Sequence, residues 1–352
     1  MKYSIIVPVF NRPDEVDELL NSLTSQEEKD FEVVIVEDGS QIPCEDVCKR
    51  YKDKMDIHYY YKQNSGPGQS RNYGAERAVG EYLLILDSDV VLPPGYLKAV
   101  SEELSRESTD AFGGPDKAHS SFTDTQKAIS YSMTSFFTTG GIRGGKKKLD
   151  KFYPRSFNMG IRKDAYQKLG GFSAMRFGED IDFSIRIFQA GYKCRLFPEA
   201  WVWHKRRTDF RKFWRQVYNS GIARINLYKK YPESLKLVHL LPMVFTLVVT
   251  GTFLLLFLAV LPHLLGTQHI FPIVGKAITM FGLIGLACIL IYSVALCIDS
   301  THKNKSIKIG LLSIRAAFTQ LLGYGCGFLS AWWKRCVLGK SEFSAYNKTF
   351  YK

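Results

Sequence analysis

Three short apolar runs recur early in the chain: SIIVPVF from Ser4 to Phe10, FEVVIV from Phe31 to Val36 and YLLIL from Tyr82 to Leu86. Each is continuous rather than alternating, and the first two are rich in β-branched residues, the pattern of strands buried on both faces of a parallel sheet. Between them, Pro13 to Gln26 and Ser70 to Val79 read as helices. Strands and helices therefore alternate as in a doubly wound α/β sheet. Such a sheet binds ligands in the crevice outside the carboxyl ends of its strands. In this chain those ends carry Asn11-Arg12, then Glu37-Asp38-Gly39-Ser40, then Asp87-Ser88-Asp89, so polar groups gather where the crevice is expected.

After about residue 235 the pattern changes. Residues 237 to 275 contain no Asp, Glu, Lys or Arg. Within them Leu240 to Leu261 is long enough to cross a ~30 Å hydrocarbon core. Ala277 to Ile298 is a second uncharged stretch, and the link HLLGTQH between the two lacks Lys and Arg, whereas DSTHKNKSIK beyond it carries three lysines against one aspartate. The positive-inside rule places that link outside and both flanks in the cytoplasm. A third apolar segment, 309–333, is interrupted by Arg315 and Gln320. As a span it would put a basic tail, 334–352, outside, against the charge rule; as an interfacial or re-entrant segment it keeps the tail inside. Gly323, Gly325 and Gly327 would equally permit close helix packing in a true span. The expected organisation is a catalytic domain over 1–203, a basic amphipathic interfacial segment over 204–236, a membrane region over 237–333 and the tail.

The formal charge of +13 would suit nucleic acid, but ten Lys or Arg against two acids fall between His204 and Lys236, directly before the first long apolar run. That placement favours an anionic membrane surface. The same stretch interleaves Phe210, Phe213, Trp214, Tyr218 and Tyr228, which also suits single-stranded nucleic acid. An interfacial helix is the better explanation because the span begins about ten residues later. No nucleic-acid partner is expected. The apolar start of MKYSIIVPVFNRPDE is too short for a secretory signal, so the N-terminal region is expected to stay cytosolic. Seven cysteines occur without paired CxxC units and read as reduced and structural. Cys44 and Cys48 could share a helix face, but no nearby His completes a metal set.

Asp87 and Asp89 leave an apolar strand with alternating side-chain directions, so one can reach a ribose while the other binds a metal. Hard carboxylate ligands with open positions suit Mg²⁺ or Mn²⁺ bridging diphosphate oxygens. In RFGEDIDFSIRIFQAGYK, Glu179 and Asp180 open a helical pattern; they can be ordinary N-terminal helix acids or catalytic ones. Displacement of a nucleotide leaving group needs a base on the acceptor hydroxyl, and Asp180 is the candidate. NSGPGQSRNYG, Asn64 to Gly74, is a glycine-containing loop entering a helix, with Arg71 expected in its first turn to meet phosphates. His204, after an apolar run, reads either as a metal or diphosphate ligand or as a buried hydrogen-bonded histidine.

SIIVPVFNRP, VVIVEDGS, NSGPGQSRNYG, LLILDSDV and FGEDIDFSIR together resemble, in order and spacing, the family 2 glycosyltransferases. The resemblance implies a GT-A catalytic domain and an inverting single displacement with Asp180 as base. It implies that Pro8, Phe10 and Asp38 contact the base or ribose, that Arg71 lies near the nucleotide, and that Asp87 and Asp89 form the donor and metal motif. Asn11, at the same strand end, joins the expected donor-binding set, and Glu179 the catalytic one. Glu37 stands where the family more often has Asp, which leaves no implied role for it. The expected partners are a nucleotide-sugar donor, UDP-linked, a lipid-linked or saccharide acceptor, and membrane lipids. FWRQ, Phe213 to Gln216, differs in order from the QxxRW motif of processive synthases, so processive synthesis is not assigned. Transfer to a polyprenyl phosphate is the alternative within the class, and a receptor with an inactive nucleotide-binding domain the alternative outside it. A Rossmann dehydrogenase is disfavoured because the first strand leads into NRP with no GxGxxG turn.

Overall fold

In a computed structural model of the chain, residues 1–117, 122–139, 152–175, 177–205, 207–264 and 272–342 are described. They form two compact units: Met1–Ser120 with Lys147–Lys205, and Ser121–Lys146 with Arg206–Lys352.

The first unit is built on β1 (Tyr3–Val9), β2 (Phe31–Asp38), β3 (Asp56–Lys62), β4 (Tyr82–Leu86), β5 (Val90–Val91), β6 (Ala111–Gly113), β7 (Asp116–Lys117), β8 (Asn158–Arg162), β9 (Cys194–Leu196) and β10 (Val202–His204). Its helices are α1 (Pro13–Thr24), α2 (Glu45–Lys49), α3 (Pro67–Arg77) and α4 (Tyr96–Arg106), then, after two helices of the second unit, α5 (Asp124–Thr134) and α6 (Phe136–Thr139), α7 (Lys163–Lys168) and α8 (Glu179–Gln189). Seven strands form one sheet in the order β3-β2-β1-β4-β8-β6-β9; β5, β10 and β7 form a second, three-stranded sheet. The β3-β2-β1-β4 half is parallel, while β8 pairs antiparallel with both β4 and β6. The sheet is thus mixed, in the GT-A manner.

Continuous apolar strands feed two cores because successive side chains point to opposite faces. Ile5, Val7, Val33, Ile35 and Leu84 pack with Val16, Leu19 and Leu23 of α1 on one side. Ile6, Val34, Val36, Leu83 and Ile85 pack with Phe183 and Ile187 of α8 on the other. Cys44 and Cys48 are buried in the first core as free thiols.

The second unit contains α5 and α6 together with α9 (Phe210–Lys230), α10 (Leu241–Leu264), α11 (Pro272–Asn304) and α12 (Ile307–Trp332). Residues 122–139 fall inside the stretch expected as one continuous domain over 1–203, yet they pack with the C-terminal helices. The reason is an apolar stripe: Ala128, Ile129 and Met133 join Phe213, Val217, Ile309 and Ala316 in one cluster. The same cluster covers part of the apolar face of α9, so this helix, expected to seat on lipid, buries Phe213 and Val217 against protein.

The runs Leu237–Pro262 and Ile273–Asn304 are long and apolar enough to cross a membrane. Leu247, Val248, Phe253, Leu254 and Phe257, and likewise Met280, Phe281, Leu283, Ile284 and Ile291, are each more than half exposed, unlike a soluble core helix. The third apolar segment is α12, and it is used differently. Among the described residues it is not one of the two membrane-compatible runs, and its buried side includes Gly310, Ser313, Ala316, Gly323, Gly325 and Gly327. Residues 265–269 of the expected external link and 343–352 of the tail lie outside the described residues.

The three glycines set how closely α12 approaches its neighbours. A Cβ on Gly327 would lie 2.0 Å from the Tyr218 carbonyl oxygen of α9, and one on Gly325 2.1 Å from Thr246 Oγ1 of α10. Backbone cannot yield cheaply at such distances. Gly327→Ala is therefore expected to lower thermal stability in detergent by about 1–3 kcal/mol or more. Gly251→Ala, where a Cβ meets nothing within 4 Å, should be neutral or slightly stabilising. Equal melting temperatures for the two variants would contradict this packing.

Candidate active site

At the carboxyl end of the parallel strands, β1 leads into Phe10-Asn11-Arg12, β2 ends on Glu37-Asp38, and β4 leads into Asp87-Ser88-Asp89. Pro8 and Phe10 are half-buried at this edge. Asn11 has a left-handed backbone, φ 54°, and its side-chain oxygen accepts from Gln41 N at 2.8 Å and Ile42 N at 2.9 Å. It ties the turn after β1 to the turn after β2. Glu37 is fully buried and shares its carboxylate between Ser40 Oγ and Cys44 N. A longer acid than the usual Asp is therefore built into the turn.

Asp38 is likewise committed to the backbone. Its Oδ1 accepts from Ser65 N and its Oδ2 from Gly66 N, both at 2.9 Å, and Lys62 Nζ pairs with Oδ1. Gly66, at φ 93°, is the N-cap of α3, and Pro67 follows in the first helical position. Asp38 thus holds the loop from which α3 starts. The helix begins three residues earlier than the sequence pattern suggests, which puts Arg71 in its second turn.

Arg71 is 4% exposed at its side chain and bridges two elements. One terminal nitrogen lies 2.8 Å from Asp87 Oδ1 and the other 3.3 Å from Glu179 Oε1. Glu179 and Asp180 open α8 after Gly178, whose left-handed backbone, φ 91°, allows the abrupt entry. Gly68 of α3 lies close enough that a Cβ there would meet Glu179 Cγ at 3.2 Å. The neighbouring Asp180 carboxylate is partly exposed, with Arg155 at 3.7 Å.

Asp89 and His204 are brought together by the second sheet. His204 pairs with Val90 in antiparallel register, and Lys205 N donates to Asp89 O at 3.0 Å. His204 Nε2 then lies 3.2 Å from Asp89 Oδ1, with the ring stacked on Phe157 at 4.8 Å. Asp87, Asp89 and His204 each offer one ligand atom, all within 4.8 Å of one another. Two hard carboxylates and an imidazole fit Mn²⁺ or Mg²⁺ with positions left for substrate oxygens. Arg12 reaches the other Asp89 oxygen at 2.7 Å. A second such group, Glu32, Asp56 and His58, sits at the opposite end of the strands, where Glu32 already accepts from Ser4 Oγ and Val79 N.

All ten residues expected at the site fall at this edge of the first unit. Arg12, Lys62, Arg155 and Phe157 were not anticipated as members. Arg12 alone left a signal, as a cation at a strand end just before the helix-starting Pro13.

With this geometry in view, residues 4–170 match the family described as Glycosyl transferase family 2. Over those residues the chain is a family 2 glycosyltransferase domain. An uncharacterized glycosyltransferase of Rickettsia felis is 39% identical over 88 residues, covering 25% of this chain and 15% of that protein. The GalNAc(5)-diNAcBac-PP-undecaprenol beta-1,3-glucosyltransferase of Campylobacter jejuni is 32% identical over 115 residues, covering 32% of this chain and 37% of its own. These matches span well under half the length of either relative. The mannosyltransferase PcManGT from Pyrobaculum calidifontis, solved with GDP-Man and Mn²⁺, shares the fold at a TM-score of 0.56 and 14% identity, over 95% of this chain and 88% of that one.

Within the first unit the charge at Glu179 is unusual. Burial, then repulsion from Asp180, raises its carboxyl to about 7, against the opposing pull of Arg71. The folded protein therefore holds this proton more tightly than the unfolded chain does. The resulting stability is complete below the ordinary carboxylate value and lost as pH rises through about 7. Glu179→Gln removes that titration while keeping an acceptor for Arg71. Its melting temperature relative to the parent should climb between roughly pH 5 and 8, and a flat difference across that range would show that Glu179 titrates normally.

The metal assignment has its own test. Asp89→Asn should weaken Mn²⁺ binding, followed by the electron paramagnetic resonance of the free ion, with an unchanged circular dichroism spectrum. Undiminished Mn²⁺ binding in the folded variant would remove Asp89 as a ligand.

Proposed function

We propose that this chain is a metal-dependent, inverting glycosyltransferase that moves a sugar from a nucleotide-sugar, UDP-linked, to a hydroxyl of a lipid-linked saccharide or polysaccharide. We place it at the cytoplasmic face of the cell membrane as a multi-pass protein. The single observation that carries the chemistry is Arg71, whose guanidinium joins the strand-end Asp87 to the acidic helix start at Glu179. It couples a group able to hold a cation to a carboxylate pair able to take a proton, across one crevice.

In this reading Asp87 and Asp89, with His204, would hold Mg²⁺ or Mn²⁺, and a cation there would offset charge on the departing diphosphate. Pro8, Phe10 and Asn11 border the donor, and Asp38 shapes its floor through the loop before α3. The acceptor oxygen forms its bond to the anomeric carbon as the bond to the diphosphate oxygen breaks, and the nucleoside diphosphate leaves with that electron pair. Asp180 takes the acceptor proton. Glu179, held by Arg71 through one oxygen, orients the acceptor and its neighbour.

The membrane reading is supported by the exposed apolar surfaces of α10 and α11. A lipid-linked acceptor would be met at such a membrane, and the Campylobacter relative is named for an undecaprenol-linked one.

Asp180→Asn keeps the shape of the side chain but cannot accept a proton at neutral pH. Turnover should fall by about 10²–10⁴ while donor and Mn²⁺ affinity change little. Glu179→Gln should be milder. Purified full-length protein given a panel of nucleotide-sugars and a membrane lipid extract, with products read by mass spectrometry, supplies the assay. Full activity in Asp180→Asn would remove it as the base, a selective loss in Glu179→Gln would move the role there, and no turnover of any donor would sink the enzyme reading.

A further inference from the structure

We infer that α5 and α6, although they interrupt the catalytic domain in sequence, are themselves inserted in the lipid, with Phe136 and Phe137 in contact with acyl chains. This rests on the membrane reading of α10 and α11 given above.

The argument begins with the register of contacts along α11. Asp124, at the start of α5, pairs with Lys308 at 2.8 Å, where α12 begins. Tyr131 donates to Asp299 Oδ2 at 2.6 Å, and Asp299 also pairs with Lys303 at 2.8 Å. Six residues further along this segment, the Phe137 carbonyl accepts from Tyr292 OH at 3.0 Å. Moving from 131 to 137 therefore moves from 299 back to 292 on α11, a descent of about 10 Å at the helical rise. The charged group at 299–303 marks the cytoplasmic end of α11 by the charge rule. A point about 10 Å inward lies within the ~15 Å half-thickness of a hydrocarbon core.

The surroundings at that depth are apolar. Tyr292 packs on Phe245 of α10 at 5.6 Å and on Phe318 of α12 at 6.2 Å, and its neighbours Leu290, Ile291 and Val294 are more than half exposed. Phe136 and Phe137 are 72% and 43% exposed. The Tyr292 hydroxyl ties this pair to α11 through the Phe137 carbonyl.

The segment is also chemically suited to lipid. From Ala128 to Ile142 it carries no Asp, Glu, Lys or Arg. Five of its hydroxyls are engaged within the segment: Ser132 donates to Ile129 O, Thr134 to Ser130 O, Thr138 to Ser135 O and Thr139 to Ser135 O, while Ser135 Oγ accepts from Phe137 N. A polar group in hydrocarbon is tolerated when it is satisfied within its own segment. The charges of this stretch, Asp124 and Lys127, are confined to its first turn.

The test uses the full chain in proteoliposomes of phosphatidylethanolamine and phosphatidylglycerol, with the photoreactive residue p-benzoylphenylalanine placed singly at position 136, 254 or 102. Phe136 is exposed, so the larger aromatic displaces nothing. Leu254 reports the membrane reading of α10, and Glu102, exposed on α4, reports water. Irradiation should produce phospholipid adducts at 136 and 254, identified by mass, and none at 102. Adducts at 254 but none at 136 would overturn the insertion while leaving the membrane anchor standing. A crosslink from 136 to a second copy of the chain would overturn it in favour of an oligomer contact. No adduct at 254 would refute the membrane reading and this inference with it.

Discussion

The active site depends on one buried cation. Asp87, Glu179 and Asp180 arrive from a strand end and a helix start that are far apart in sequence, and like charges brought together out of water would repel strongly. Arg71 makes the arrangement tolerable. Its planar fork meets Asp87 with one nitrogen and Glu179 with the other, which a lysine at the same position could not do. Phe172 lies under the guanidinium at 5.2 Å, and Asp38 secures the loop that sets the start of α3 and hence where Arg71 points. The raised carboxyl of Glu179 shows that the compensation is incomplete.

A parallel logic governs the other half of the crevice. Arg12 sits on Asp89 as Arg71 sits on Asp87, so each strand-end carboxylate is balanced by a guanidinium from a different element. Neither arginine covers its carboxylate completely. The second oxygen of Asp89 faces His204, and Asp87 remains about one-third exposed. A divalent cation would therefore join a site whose charge is already shared, and its affinity would be set by how readily Arg12 gives way.

Much of this was legible in the sequence because it rests on local pattern. Tyr82–Leu86 is a strand with the expected bounds, and β1 and β2 differ from expectation only at their ends. The acidic and glycine-containing turns fall at the crevice because strand ends place them there. What was not legible depends on pairing between distant segments. Local pattern leaves His204 open between a ligand and a core histidine, and its place beside Asp89 depends on the antiparallel match of β10 with β5 that puts it opposite Val90. Arg155 and Phe157 lie just before β8, an antiparallel strand inserted between β4 and β6, and nothing in their local pattern announces that neighbourhood. The start of α3 was misplaced because Asp38, on a strand distant in sequence, fixes the loop at Ser65 and Gly66 from which the helix begins.

The segment 122–139 escaped the sequence reading for a different reason. A hydropathy pattern scores Ser and Thr as polar, so AISYSMTSFFTT reads as a mixed surface helix. In the folded chain Ser132, Thr134, Thr138 and Thr139 donate to carbonyls of the same segment, and Phe136 and Phe137 stand exposed. The polarity that a helix shows its solvent is set by which groups remain unsatisfied after back-bonding, not by composition. By that measure α5 and α6 resemble α10 and α11, whereas the glycine side of α12 is covered by other helices. Length and hydropathy rank these segments in one order; satisfied hydrogen bonds and covered surface rank them in another, and the second order decides where each can sit.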